Sequence, residues 1–212
     1  MILLGNQIKE LVRNKKIIYD GAEENIGPNS VDVTLNKLLK TYVPCKIIQI
    51  KIKDKTFNKI ILDEEEIEKD NFFIRMDKPN KVYEHIIPED GLILSPNILY
   101  LGATNEVGGS DYYLPMYEGR SSTARLGFQS HLSAGFGDIS FKSNWTLEII
   151  VIHSLLVFPD VRIGQVYFHE INETYRKKLF EDGLEYNSKY NKQTVAQESK
   201  MYLDFDKSEK GK

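Results

Sequence analysis

The 212-residue chain carries 28 Lys and Arg against 31 Asp and Glu, a net charge of -3, with 41% hydrophobic and 28% charged residues. These values are ordinary for one globular domain and exclude disorder throughout; they offer no broad basic footprint for a nucleic-acid polymer or an anionic membrane, so a polyanionic small molecule fits better. Cys45 is the sole cysteine, which rules out an intrachain disulfide, a thiolate metal cluster and the Pro-Cys-x-x-Cys zinc site of nucleobase deaminases.

From the amino terminus, Met1 to Arg13 acquires charge too early for a signal peptide, and no apolar run approaches the ~18 residues of a membrane helix. A cytoplasmic protein without membrane contact is expected. Asn6 to Lys16 predicts a short amphipathic helix with Ile8, Leu11 and Val12 on one side. Residues 17–19 read as a brief extended stretch and 21–28 as loop. Ser30 to Leu35 alternates cleanly, placing Val31, Val33 and Leu35 inward and Asp32 opposite, on a solvated face or in a structural salt bridge. Short β-like runs follow at 42–43, 47–50 and 57–62. The acidic group from Asp63 to Glu66, with Glu68, reads as an exposed loop or short helix. Pro79 and Pro88 limit regular structure between 71 and 90.

Strands are predicted at 92–94, 98–103, 113–117, 145–151 and 161–168, separated by turns at Ser95-Pro96-Asn97 and Phe158-Pro159-Asp160. Many short strands and few helices favour a compact all-β barrel or sandwich. A dinucleotide-binding α/β fold is disfavoured, because no strand-turn-helix unit carries Gly-x-Gly-x-x-Gly. The body is assigned to 1–183. The polar tail, 184–212, has aromatics at Tyr186, Tyr190, Tyr202 and Phe205. It reads either as solvent-exposed chain or as a segment that closes over a site.

The candidate chemistry lies between Glu118 and Glu148. Ser121 or Ser122 can cap a short helix and Gly127 can end it, and amides at a helix start favour an anion. Ser121 and Arg125, one turn apart, would share a face; an ordinary polar surface turn is the competing reading. In Trp145 to Ile152, period two puts Trp145, Leu147, Ile149 and Val151 on one face and Thr146, Glu148, Ile150 and Ile152 on the other. Glu148 is the one charge in an apolar strand. A carboxylate there is either in a structural ion pair, with Arg125 or Arg162 as partner, or raised in pKa for general acid-base work.

The run Gly119-Arg120-Ser121-Ser122-Thr123-Ala124-Arg125-Leu126-Gly127, then His131-Leu132-Ser133-Ala134-Gly135-Phe136-x-Asp138, then Thr146-Leu147-Glu148 closely resembles the dCTP deaminases of the dUTPase-like superfamily. The likeness extends to Ser30–Leu35, to Arg162-Ile163-Gly164-Gln165, and to Tyr186, Lys189-Tyr190 and Gln193; residues 40–90 match weakly. The resemblance implies a distorted jelly-roll-like β-barrel with a short N-terminal helix and a short helix in the central motif. It also implies a homotrimer with active sites between subunits. The implied reaction is hydrolysis of dCTP to dUTP and ammonia without zinc, with Mg²⁺ accompanying the triphosphate and dUTP or dTTP as further nucleotides.

Carried over by position, Glu148 resembles the carboxylate that activates water and moves a proton to N3. Arg125, from a neighbouring subunit, and Ser121 resemble the residues that hold that water. Arg120, Ser122, Lys189 and Gln193 resemble triphosphate contacts, Tyr186 a phosphate or sugar contact, and the Ser133-Ala134 backbone a base contact. Asp138 matches the residue that in dUTPases engages the 3′-hydroxyl and orients water for attack on the triphosphate. A bifunctional, dUMP-forming enzyme is therefore the first alternative. The second is a non-catalytic nucleotide sensor, for which Ser140 and Ser143, standing at usual glycine positions, leave room. A glycine-rich C-terminal motif is absent, which disfavours a plain dUTPase.

Overall fold

A computed structural model describes residues 1–69, 72–133, 135–181, 189–190 and 192–206. In chain order its first half runs α1 (Gly5–Arg13), β1 (Ile18–Tyr19), β2 (Val31–Thr34), β3 (Leu38–Thr41), β4 (Cys45–Ile52), β5 (Lys55–Leu62), α2 (Glu64–Lys69), β6 (Tyr83–Ile86) and β7 (Leu92–Leu94). The second half contains β8 (Tyr100–Gly109), β9 (Tyr113–Gly119), α3 (Ser121–Ala124), β10 (Phe128–Gln129), β11 (Lys142–Val151), β12 (Leu155–Val157), β13 (Arg162–Glu170), α4 (Glu173–Glu181) and α5 (Tyr202–Asp206).

The mainly-β composition and both expected short helices are present, but the barrel is not. Three open sheets replace it: six strands ordered β10-β11-β8-β3-β6 with β1 added on β8, four ordered β12-β7-β5-β4, and three ordered β2-β13-β9. Closure needs an unbroken ladder around the ring. Here β11 slips register against β8 between Asn144 and Thr146, and β13 slips against β2 between Arg162 and Gly164. Pairing resumes beyond each slip, with the strand bent there, and no continuous ladder joins the three sheets among the described residues. Among the described residues an isolated bridge, Leu35 with Thr104, links the end of β2 to β8.

Alternation governs which side chains fill the space between them. Val31, Val33 and Leu35 are fully buried, as are Leu147 and Ile149 of β11. They pack with Ile8 of α1, Leu39, Tyr100 and Phe168 in the main core. The opposite face of the large sheet carries a smaller apolar cluster of Tyr42, Leu101, Ala103 and Ala196. Ala196 belongs to the tail, which crosses this second face. Lys40, Leu101 and Glu148 sit side by side across β3, β8 and β11, since Leu101 is register partner to both.

Candidate active site

A cavity of about 440 Å³ lies between that second sheet face, the 136–141 loop and the tail. The sheet contributes Leu101, Thr146 and Glu148, the loop Gly137 and Asp138, and the tail Tyr190, Gln193, Gln197 and Glu198. Glu148 and Asp138 thus face one space. Asp138 is held in a turn in which the Phe141 amide donates to the Asp138 carbonyl at 3.1 Å. The same turn places Ser140 at φ 68 and bonds its amide to the Ser110 carbonyl at 2.9 Å.

Glu148 is half-buried, and burial raises its carboxyl above the ordinary range; the Leu132 amide and the His131 charge oppose that rise. The Leu132 amide donates to Oε2 at 3.4 Å. Neither Arg125 nor Arg162 pairs with Glu148, and among the described residues no other cation does. Arg162 instead reaches Asp32 at 3.2 Å, while Arg120 approaches the other Asp32 oxygen at 3.4 Å. Asp32 is therefore in the salt bridge that its strand face allowed. A half-buried carboxylate without a cationic partner is costly when ionised, which leaves Glu148 suited to taking up and releasing a proton.

The segment from Arg120 to Gly127 forms one helical turn. Arg120, not a serine, occupies the N-cap, and Gly127 at φ 72 ends the turn. The Arg125 amide bonds the Ser121 carbonyl at 3.1 Å, as the spacing anticipated. Ser121, Ser122 and Arg125 are exposed and none of them lines the cavity that holds Glu148. They lie beyond β10, whose pairing with Ile150 and Val151 makes it the edge of the large sheet. Ser133 is exposed next to Leu132. Gln193 is buried in the cavity wall, and Lys189 is turned to Asp204 at 2.5 Å. Ala134 and Tyr186 lie outside the described residues.

Several lining residues had no signal of their own in the sequence, among them Gln197, Glu198 and Tyr42. Thr146 did: it shares the Glu148 face by period two. Among the described residues no three His, Cys, Asp or Glu side chains converge as a protein-held metal requires.

The profile of the dCTP deaminase-like family matches residues 2–171. The chain belongs to that family. Similar proteins include dUMP-forming dCTP deaminases of Clostridium beijerinckii, 39% identical over 98% of this chain and 100% of the relative, and of Cytophaga hutchinsonii, 36% identical with the same coverage. Another, from Leptospira biflexa, is 36% identical over 98% of this chain and 99% of its own. The solved 2′-deoxycytidine 5′-triphosphate deaminase of Agrobacterium tumefaciens shares the fold at a TM-score of 0.52 and 16% identity. That comparison covers 85% of this chain and 53% of the other. The expectation of a reaction ending at dUTP is corrected by these relatives, which are named as dUMP-forming. A family enzyme whose cavity is lined by both Glu148 and Asp138, with the third carboxylate there, Glu198, paired to Lys40, is consistent with that correction. Among the described residues no helix is long and apolar enough to cross a membrane.

Proposed function

We propose that the protein converts dCTP to dUMP in two hydrolytic steps at one site. In the first, Glu148 takes a proton from water as the oxygen adds to C4 of cytosine and delivers it to N3. It then carries the remaining proton of the added hydroxyl to the exocyclic amine, so that the C4–N bond breaks, ammonia leaves and the C4 carbonyl forms. In the second, water oriented by Asp138 attacks the triphosphate of the bound dUTP, and diphosphate leaves with dUMP remaining. The observation that carries this reading is the placement of Glu148 and Asp138 on one cavity. The raised Glu148 carboxyl supports its role, because burial makes the carboxyl hold a proton more readily than an exposed one, as an acid-base catalyst must.

The remaining positions are assigned by the same reading. Ser121 and Arg125 hold the attacking water, Arg120 and Ser122 take the triphosphate, and Lys189, Gln193 and Tyr186 add contacts from the tail. The Ser133-Ala134 backbone faces the base. Because the α3 residues do not line the Glu148 cavity of their own chain, these roles require a neighbouring subunit, and a homotrimer is the assembly proposed. Support comes from Leu126 and Ile152, 56% and 70% exposed. The Ile152 amide bonds the Gly127 carbonyl at 2.9 Å beside α3, so apolar surface flanks the exposed motif. Mg²⁺ is assigned to the triphosphate oxygens, the hard oxygen donors it prefers; bound there, it would neutralise phosphate charge.

The test is incubation with dCTP and Mg²⁺ followed by chromatography of nucleotides and assay of ammonia and diphosphate. One ammonia and one diphosphate per dCTP consumed are expected. Bound but unaltered dCTP after prolonged incubation would reject the proposal.

A further inference from the structure

Taking the cavity as the nucleotide site, we propose that Ser143 is a positioning residue that seats the tail as one wall of that site before any nucleotide arrives. Ser143 is 1% exposed, near the start of β11 and on the strand that carries Glu148. Its hydroxyl accepts the Gln193 amide at 2.6 Å and donates to the Gln193 carbonyl at 3.1 Å. One side chain therefore satisfies both backbone groups of a buried residue, as a neighbouring strand would. Asn144 completes the contact: its amide donates to the Gln193 carbonyl at 3.3 Å, and its carbonyl accepts Gln193 Nε2 at 2.6 Å.

Beyond Gln193 the tail stays on the same sheet face. The Gln197 amide donates to Thr146 Oγ1 at 3.1 Å, the Ser199 amide to Tyr42 Oη at 2.7 Å, and Lys40 pairs with Glu198 at 2.7 Å. Ala196 is buried between these contacts. The segment 192–199 is thus tied to β11 and β3, and three of its members, Gln193, Gln197 and Glu198, line the cavity. Ser143 makes the tie at the end where the tail meets β11. Alanine there leaves the Gln193 amide buried without an acceptor, a state whose cost is relieved only by moving the tail into water. The β11 ladder to β8 runs through backbone groups and does not use the hydroxyl, so loss of the tie need not loosen the sheet.

Hydrogen exchange on the full chain without nucleotide tests this, comparing wild type, Ser143→Ala and Ser143→Thr. Amides of 192–199 are expected to exchange at least ~10-fold faster in the alanine variant, with those of β11 and β13 unchanged and the threonine variant nearer wild type. With dCTP, the alanine variant should show KM raised about tenfold, with kcat within threefold of wild type, because the tie prepays the ordering of the tail. Unchanged tail protection in Ser143→Ala would overturn the proposal. So would loss of protection in tail and β11 together, which marks a merely structural serine, or an unchanged KM. A wild type that turns over no dCTP would sink the functional reading instead, while the exchange result still decides the tie.

Discussion

Replacing Glu148 by Gln removes the one group proposed to move protons in the deamination while keeping its shape. The structure indicates that the side chain's setting survives the change. The Leu132 amide donates to its Oε2 at 3.4 Å, and the amide oxygen of Gln can accept that bond as well. No cation is left unpaired, because among the described residues none pairs with Glu148. The loss should therefore be chemical. General acid-base catalysis is worth roughly 10² to 10⁴ in rate, which at 1.36 kcal/mol per tenfold is about 3 to 5 kcal/mol of transition-state stabilisation. Ammonia release from dCTP should fall by that factor. Hydrolysis of supplied dUTP to dUMP should fall far less, since Asp138 is untouched, and dCTP binding measured by calorimetry should persist. Ammonia release within about tenfold of wild type would refute the assignment of Glu148.

The complementary change, Asp138→Asn, should leave ammonia release largely intact and let dUTP accumulate, with dUMP formation down by roughly 10² or more; chromatography of the products reads both. Glu148 also makes a pH prediction. Its carboxyl is raised in the folded state, so its contribution to stability is complete below the unfolded carboxyl value and is lost as pH rises through the folded one. Glu148→Gln and wild type should melt together below about pH 4, and the variant should melt higher near pH 8; the opposite order would contradict the burial argument. Away from the site, Lys53 opens the two-residue turn between β4 and β5 at φ 53, where glycine is favoured. Lys53→Gly should stabilise the protein by about 1 kcal/mol, the relief of a left-handed residue less the added chain entropy. Denaturant unfolding checks it, with kcat/KM unchanged.

Much of the site's chemistry could be read before the fold. Period-two alternation from Trp145 onward isolated Glu148 and put Thr146 beside it, and both line the cavity. The clean alternation of Val31 to Leu35 placed Asp32 opposite the core, where it meets Arg120 and Arg162. Spacing also anticipated the turn from Ser121 to Gly127, although Arg120 took the cap because the helix begins at Ser121 itself.

Other features depend on long-range geometry that local pattern does not encode. Whether short strands close into a ring turns on which distant strands pair, and here they divide among three open sheets. The tail was legible as polar chain with aromatics, but its docking rests on contacts such as Ser143 with Gln193 and Lys40 with Glu198, far apart in sequence. The helix from Glu173 to Glu181 did leave a local sign. Asn172 Oδ1 accepts the Thr174 and Tyr175 amides at its start, a capping pattern that the surrounding polar composition obscured.

The central claim is that both hydrolyses occur at one site on one bound nucleotide. It is tested most directly by following dCTP with Mg²⁺ in a single turnover, with unlabelled dUTP present to trap released intermediate. The account predicts that label passes from dCTP to dUMP and diphosphate with ammonia released in equal amount and little label appearing as free dUTP. Stoichiometric accumulation of labelled dUTP, with no diphosphate, would contradict it.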